Sequence, residues 1–145
     1  MPGWVNAGVE EYARRMPPDL PLNLAEIKPG HRVAGADGVR ARQIEAERIL
    51  AALPAGAFAV ALDERGTQLT TRELARWISG WMAEGVSPAF IIGGADGLDD
   101  SVKARAGKQL GLSKLTLPHA LARVVLAEQL YRAMCIIKGH PYHRD

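Results

Sequence analysis

The hydrophobic positions of the chain change their period several times, and each change predicts a new element. Residues 1–16 have one helical face of apolar side chains and another of charged ones, which predicts an amphipathic helix; the apolar face carries Trp4, Val5, Val9 and Tyr12. Leu22–Ile27 alternates apolar and polar side chains, as a half-buried strand does. Lys28–Gly38 has three glycines and no period, which predicts a loop.

The next stretch predicts a helix, a strand and a second helix. Val39–Leu53 has helical spacing, whereas Ala57–Leu62 is a continuous apolar run of the kind found when both faces of a parallel strand are covered. A turn is predicted at Asp63–Gly66. Residues 70–73 read T-x-x-E, a capping box that predicts the start of a helix ending near Gly85.

The remaining chain repeats this alternation. A strand is predicted at Ala89–Ile92, a short helix at about Asp99–Gly107, and a strand at Leu115–Leu117. Pro118 lacks an N–H group, so it stops that strand and begins a long amphipathic helix. Short apolar strands that alternate with helices predict an α/β fold with a parallel sheet, and the length predicts a single domain, residues 1–145.

In such a sheet, ligands bind beyond the carboxyl ends of the strands. The predicted strand ends place candidate chemistry at Leu62–Asp63, at Gly93–Gly97 and at Leu115–His119. The glycines of the second segment permit close approach of a ligand to the backbone. That segment is not G-x-G-x-x-G and lacks the Lys-Ser/Thr of a phosphate-binding loop, so a nucleoside triphosphatase is disfavoured.

Composition and charge narrow the class further. The chain has no apolar run of the ~18 residues that a membrane span needs and no basic-then-apolar leader, so we expect a cytoplasmic protein that does not enter a membrane. The single Cys135 excludes an internal disulfide and is expected to be a small buried residue. Residues 101–145 hold eight Lys/Arg and two Asp/Glu, which suits a polyanionic partner, although a solvated helix face gives the same count.

The last residues carry a concentrated set of functional groups. His140 and His143 are three apart, but no third ligand has a suitable spacing, so no metal site is expected. Tyr142, His143 and Arg144 provide stacking, hydrogen-bonding and cationic groups that suit a nucleobase. The alternative is an ordinary frayed terminus. No Ser-His-Asp, H-E-x-x-H or G-x-S-x-G arrangement is present, so hydrolase machinery is absent from the sequence.

Taken together, several motifs resemble those of one family in order and spacing. They are PGWVNAGVEEYARRMP, ALDERG, FIIGGADGL, LSKLTLPHALARVVLAEQLYRA and the closing HPYHRD. The chain resembles, over essentially its whole length, the SPOUT-class ribosomal RNA large-subunit methyltransferase H family. The resemblance implies an α/β knot, with a parallel sheet, helices on both faces and a deep C-terminal trefoil knot, a rare exception to the rule against threaded chains.

The resemblance also implies an activity. Members of the family use S-adenosylmethionine to methylate N3 of a pseudouridine in large-subunit (23S) ribosomal RNA, on the assembled ribosome and as homodimers. Tyr142, His143 and Arg144 would be catalytic, with His119 and Arg123 as weaker candidates. The residues that would hold the cofactor are Leu62, Gly94, Ser113, Lys114, Leu115, Thr116, Leu117 and Pro118.

Two further expectations remain open at this level. Family members begin about ten residues earlier with an apolar strand that is missing before Met1 here. Either Met1 is an internal methionine taken in place of the true start, or the chain is a truncated version that is less stable because the neighbours of that strand stay unpaired. The rival functions are a ribosome- or RNA-binding protein without catalysis, and an enzyme that uses the GGADG segment as a phosphate turn for a small nucleotide.

Overall fold

The structure, a computed structural model, describes residues 2–30, 38–94 and 97–144. Its elements are α1 Gly3–Ala13, α2 Val39–Ala52, β1 Phe58–Gln68, α3 Thr71–Ala83, β2 Pro88–Ile91, α4 Asp100–Arg105, β3 Lys108–Gly111 and α5 His119–Lys138. They form two compact units, which we call the helical unit and the sheet unit. The helical unit comprises α1, α3 and α5, and the sheet unit comprises α2, α4 and the three strands.

The helical unit is built around α5, which contacts both α1 and α3. Gly8 packs at Val124 and Tyr12 at Tyr131, so α1 and α5 run in the same direction. Cys135 is fully buried in α5, as predicted. The other buried residues of α5 are Ala122, Leu126, Ala127, Leu130, Ala133 and Met134. Three of the buried residues of α5 are alanines, whose small side chains allow a neighbouring helix to pack closely.

Two details of the helical unit test the sequence predictions. The capping box is confirmed, because Thr70 Oγ1 accepts from Glu73 N at 3.1 Å and Glu73 Oε1 accepts from Thr70 N at 2.9 Å. Val5 and Val9 are buried as predicted, but Trp4 is 55% exposed. The apolar stripe of α1 is therefore narrower than its hydrophobic sequence suggests.

The sheet unit confirms the predicted α/β class. Its strands lie in the order β2-β1-β3, and both pairs are parallel. Ala59, Val60 and Ala61 in the central strand are completely buried, as expected for a strand covered on both faces. Ala59 and Ala61 belong to a buried cluster with residues of α2, β2, α4 and the segment before α4, namely Ala46, Ile91, Val102 and Leu98.

The predicted turn at Asp63–Gly66 interrupts β1 instead of ending it. Pairing with β3 jumps from Leu62 opposite Leu110 to Thr67 opposite the same Leu110, so the residues between form a bulge. Asp63 Oδ1 accepts from Arg65 N at 3.0 Å and stabilises this bend.

Two predicted strands are wrong. Leu22–Ile27 and Leu115–Leu117 are irregular, and Leu115 is 76% exposed. The third strand lies earlier, at Lys108–Gly111. A strand needs a neighbour for its N–H and C=O groups, and an apolar pattern alone does not reveal which segment obtains one. Over the residues described, none of the helices is long and apolar enough to cross a lipid bilayer.

Candidate functional site

The carboxyl ends of the parallel strands bring three of the predicted cofactor residues to one edge of the sheet unit. Leu62 closes the regular part of β1, Gly94 follows the end of β2, and Ser113 follows the end of β3. Parallel strands in one sheet end at the same edge, where ligands of α/β proteins bind. The third strand was predicted at Leu115–Leu117 and lies instead at Lys108–Gly111. Ser113 still lies at this edge, because it comes directly after the observed β3.

Gly94 and Gly97, in the glycine segment after β2, lie close together. Gly97 N donates to Gly94 O at 3.0 Å, and Gly97 has a φ of 79°, a conformation that glycine adopts without steric cost. A Cβ atom at Gly93 would lie 2.8 Å from the carbonyl carbon of Gly97, so no side chain fits there. At Gly94 a Cβ atom would make only ordinary contact. Gly94 is exposed and presents its backbone to any ligand at this edge.

Glu45 of α2 stands against this segment and was not singled out by the sequence. Its Oε2 would lie 3.4 Å from a Cβ atom at Gly94, and its Oε1 accepts from Gly30 N at 3.1 Å. Glu45 is one of several charged residues on α2, and its spacing gives no signal of a special role. Only the packing of α2 on the sheet shows that a carboxylate lies beside Gly94.

The segment after β3 is held by a local hydrogen bond. Ser113 Oγ accepts from Leu115 N at 2.9 Å, which removes that N–H from any strand pairing. Lys114, Leu115 and Thr116 are all exposed, so the segment offers an apolar side chain and backbone groups to a ligand. Leu117 and Pro118, predicted to belong to the same cofactor segment, fall in the helical unit.

An open cleft of about 290 Å³ lies beside the glycine segment. Its lining residues are Arg42, Gly97, Leu98, Asp99, Asp100 and Lys103. Asp99 caps α4 through Ser101 N, and Lys103 pairs with Asp63 at 3.1 Å. The N–H of Arg65 and then Lys103 hold the pKa of Asp63 below its usual range. Asp63, Asp99 and Lys103 therefore stabilise local structure within the sheet unit.

The C-terminal tail, residues 139–144, is anchored to α5. Gly139 adopts a φ of 75°, and His140 N donates to Cys135 O at 2.8 Å, which turns the chain back along the helix. The Tyr142 hydroxyl donates to Glu128 Oε2 at 2.9 Å, and the Tyr142 ring lies edge-on to Tyr131 with 4.8 Å between centroids. The tail is therefore packed, in contrast to a frayed terminus.

The three predicted catalytic residues of this tail differ in their surroundings. Tyr142 is half-buried, and burial, followed by the carboxylate of Glu128, raises the pKa of Tyr142 to about 12. His143 is half-buried, with Nδ1 3.3 Å from a guanidinium nitrogen of Arg132. Arg144 is exposed. Tyr142 thus contributes an anchoring contact, whereas Arg144 is accessible to a substrate.

The weaker candidates His119 and Arg123 contact each other at the start of α5, with 2.9 Å between the His119 Nε2 and an Arg123 guanidinium nitrogen. Among the described residues, no group of three His, Cys, Asp or Glu side chains could hold a metal ion. His31 lies outside the described residues, as does most of the loop predicted at Lys28–Gly38.

Comparison with known proteins gives consistent matches along the whole chain. A family model described as "Predicted SPOUT methyltransferase" matches residues 1–143. The chain is 77% identical over 145 residues to the ribosomal RNA large subunit methyltransferase H of Thiobacillus denitrificans, covering 100% of this chain and 93% of the relative. It is 55% identical over 144 residues to the protein of that name from Ralstonia pickettii, covering 99% and 92%. For Burkholderia multivorans the identity is 54%, with the same coverage.

Proposed function

Because the chain belongs to the SPOUT methyltransferase family, we propose that it transfers a methyl group from S-adenosylmethionine to N3 of a pseudouridine in large-subunit (23S) ribosomal RNA. The observation that carries this proposal is the 77% identity, over all 145 residues, to a protein named ribosomal RNA large subunit methyltransferase H. The substrate is the assembled ribosome, so the enzyme acts in the cytoplasm. Family membership also implies a trefoil knot.

The residues at the edge of the sheet unit fit S-adenosylmethionine. An adenosyl group needs apolar walls with backbone donors and acceptors between them. Leu62 is half-buried and Leu115 is 76% exposed, while Gly94 leaves its backbone uncovered. Ser113, Lys114 and Thr116 continue the same edge, and Leu117 and Pro118 lead from it into α5. The bound cofactor supplies an electrophilic methyl group on a positively charged sulfur.

In this methyl transfer the main task of the protein is to position the two reactants. The N3–H bond of the base breaks, and its proton passes to water. The N3 electron pair forms the new bond to the methyl carbon, and the pair of the methyl–sulfur bond stays on sulfur. Alignment of the two reactants in one complex lowers the barrier substantially. The exposed guanidinium of Arg144 is suited to stabilise the negative charge that develops on the base.

We further propose that two copies form a homodimer, since a chain of 145 residues offers little surface for a structured RNA. The buried stripe of α5 is covered by α1 and α3 of its own unit. Trp4 and Leu121 remain 55% and 43% exposed at the same end of the α1–α5 pair and are available to a second copy. Light scattering of the active enzyme at its working concentration tests this, and a monomer would contradict it.

The decisive experiment measures transfer of labelled methyl from S-adenosylmethionine to ribosomes that lack the modification. We expect label in 23S RNA and, after digestion, in a pseudouridine methylated at N3. Ribosomes that already carry the modification are the matched control and should take up no label. A protein that binds ribosomes without transfer would support the non-catalytic rival. Calorimetric binding of a nucleoside triphosphate in place of S-adenosylmethionine would support the nucleotide-enzyme rival.

A further inference from the structure

The carboxylate of Glu128 joins α5, α3 and the tail in one hydrogen-bond network. Its Oε2 accepts from Arg132 Nε at 2.9 Å and from the Tyr142 hydroxyl at 2.9 Å. Its Oε1 accepts from Gln129 Nε2 at 2.6 Å, and Gln129 Oε1 accepts from the Thr71 hydroxyl at 2.7 Å. The side chain of Glu128 is only 19% exposed, so these partners, more than water, determine where it lies.

Arg132 extends this network to His143. The guanidinium lies 4.6 Å from the centre of the Tyr142 ring, and one of its terminal nitrogens lies 3.3 Å from His143 Nδ1. An arginine side chain has five N–H donors and no acceptor. His143 Nδ1 must therefore accept this hydrogen bond. In a neutral imidazole the other nitrogen then carries the proton, so His143 is held as the Nε2–H tautomer.

We propose that Glu128 and Arg132 are positioning residues for methyl transfer, which they assist by fixing the location and tautomer of His143. This inference rests on the proposed function. With hydrogen on Nε2, His143 can donate a hydrogen bond to the pseudouridine base but cannot accept the N3 proton through that nitrogen. Loss of the N3 proton leaves negative charge on N3 and on the two carbonyl oxygens beside it. A fixed N–H donor at one of those oxygens stabilises that charge, while water receives the proton.

The tautomer can be measured without any assay of activity. Long-range proton–nitrogen correlation spectra of the full-length protein, labelled with ¹⁵N in histidine, distinguish a protonated Nε2 from a protonated Nδ1. The spectrum of His143→Gln identifies the signals of His143 by their loss. We expect Nε2–H in the parental protein and a mixture of both tautomers in Arg132→Ala. A parental protein with its proton on Nδ1 would overturn the inference.

Kinetics then separate positioning from a purely structural role. Glu128→Ala should lower kcat about 10²-fold, the cost of losing one fixed donor to a developing anion, and leave KM for ribosomes and Kd for S-adenosylmethionine unchanged. Glu128→Gln keeps one acceptor oxygen and should recover most of kcat. Glu84→Ala, which removes an exposed carboxylate at the end of α3, is the matched control and should have the parental kcat.

The outcomes that contradict the inference differ from those that contradict the proposed function. Parental kcat in Glu128→Ala overturns the positioning role. A parallel loss of S-adenosylmethionine binding and thermal stability in Glu128→Ala and Glu128→Gln would show that Glu128 serves the fold alone, and overturns it too. A parental protein that transfers no methyl group to unmodified ribosomes overturns the proposed function itself, whereas the tautomer result still decides the arrangement around His143.

Discussion

Gly66 and Gly111 approach each other so closely that neither position has room for a side chain. A Cβ atom at Gly66 would lie 2.8 Å from the backbone nitrogen of Gly111, and a Cβ atom at Gly111 would lie 2.9 Å from the carbonyl oxygen of Gly66. This contact fastens the bulge of β1, next to Leu62, against the end of β3. The edge predicted to hold the cofactor therefore depends on two glycines that make no contribution of their own to chemistry.

Replacing Gly66 tests that dependence. Gly66→Ala should lower the free energy of unfolding by about 3 kcal/mol, because the backbone at Leu110 must shift to admit the methyl group. The control is Gly80→Ala in α3, where the surrounding space is open, and it should raise the free energy of unfolding by about 0.5–1 kcal/mol. Urea unfolding measures both. Equal stability of Gly66→Ala and the parental protein would show that the close approach is wrong.

Gly94 should be sensitive for a different reason, since its surroundings admit a methyl group. Gly94→Ala places Cβ at an ordinary 3.4 Å from Glu45 Oε2 and should fold normally, but should bind S-adenosylmethionine about tenfold more weakly because the backbone is less accessible. The branched side chain of Gly94→Val should abolish binding. Calorimetry, with circular dichroism as the check on folding and Gly80→Ala as the control, measures this. Parental affinity in a folded Gly94→Val would remove Gly94 from the cofactor site.

The titration of Tyr142 reports the anchoring of the tail. Burial and Glu128 raise the pKa of Tyr142 to about 12, from about 10 in an unfolded chain. A raised pKa means that this tyrosine contributes stability fully below about pH 10, and loses that contribution as the pH rises through about 12. Near pH 10 the difference in phenolate absorbance between the parental protein and Tyr142→Phe should be small. It should grow when urea unfolds the chain at the same pH. Ionisation of Tyr142 near pH 10 in the folded protein would show that the tail is detached.

Variants of Arg144 and of the end of the tail can distinguish a role in catalysis from a role in RNA binding. Deleting residues 142–145 should remove methyl transfer and leave S-adenosylmethionine binding nearly intact. Arg144→Ala should lower kcat about 10²-fold while ribosome binding and its salt dependence stay close to parental, since a charge that serves the transition state acts on rate. Weaker binding with a reduced salt slope and unchanged kcat would identify Arg144 as a phosphate contact. Parental activity in the deletion variant would show that the tail is not catalytic and would favour His119 and Arg123 as the catalytic residues.

The sequence by itself determined those features whose interactions join residues only a few positions apart in the chain. The capping box at Thr70 and Glu73 and the buried run at Ala59–Ala61 both follow from spacing and backbone chemistry within a few residues. The order of the motifs also indicated the family, because a set of short patterns spread over the whole chain is specific even where each one is not.

The tertiary structure decided which segments obtained partners. Lys108–Gly111 is the third strand because it pairs with β1. Leu115–Leu117 has a more apolar sequence but pairs with no strand in the described part of the chain. Glu128, in the middle of α5, contacts Tyr142 because the chain reverses at Gly139. Contacts of this kind join residues far apart in sequence, and their energy depends on where the whole chain returns in space, which no local pattern encodes.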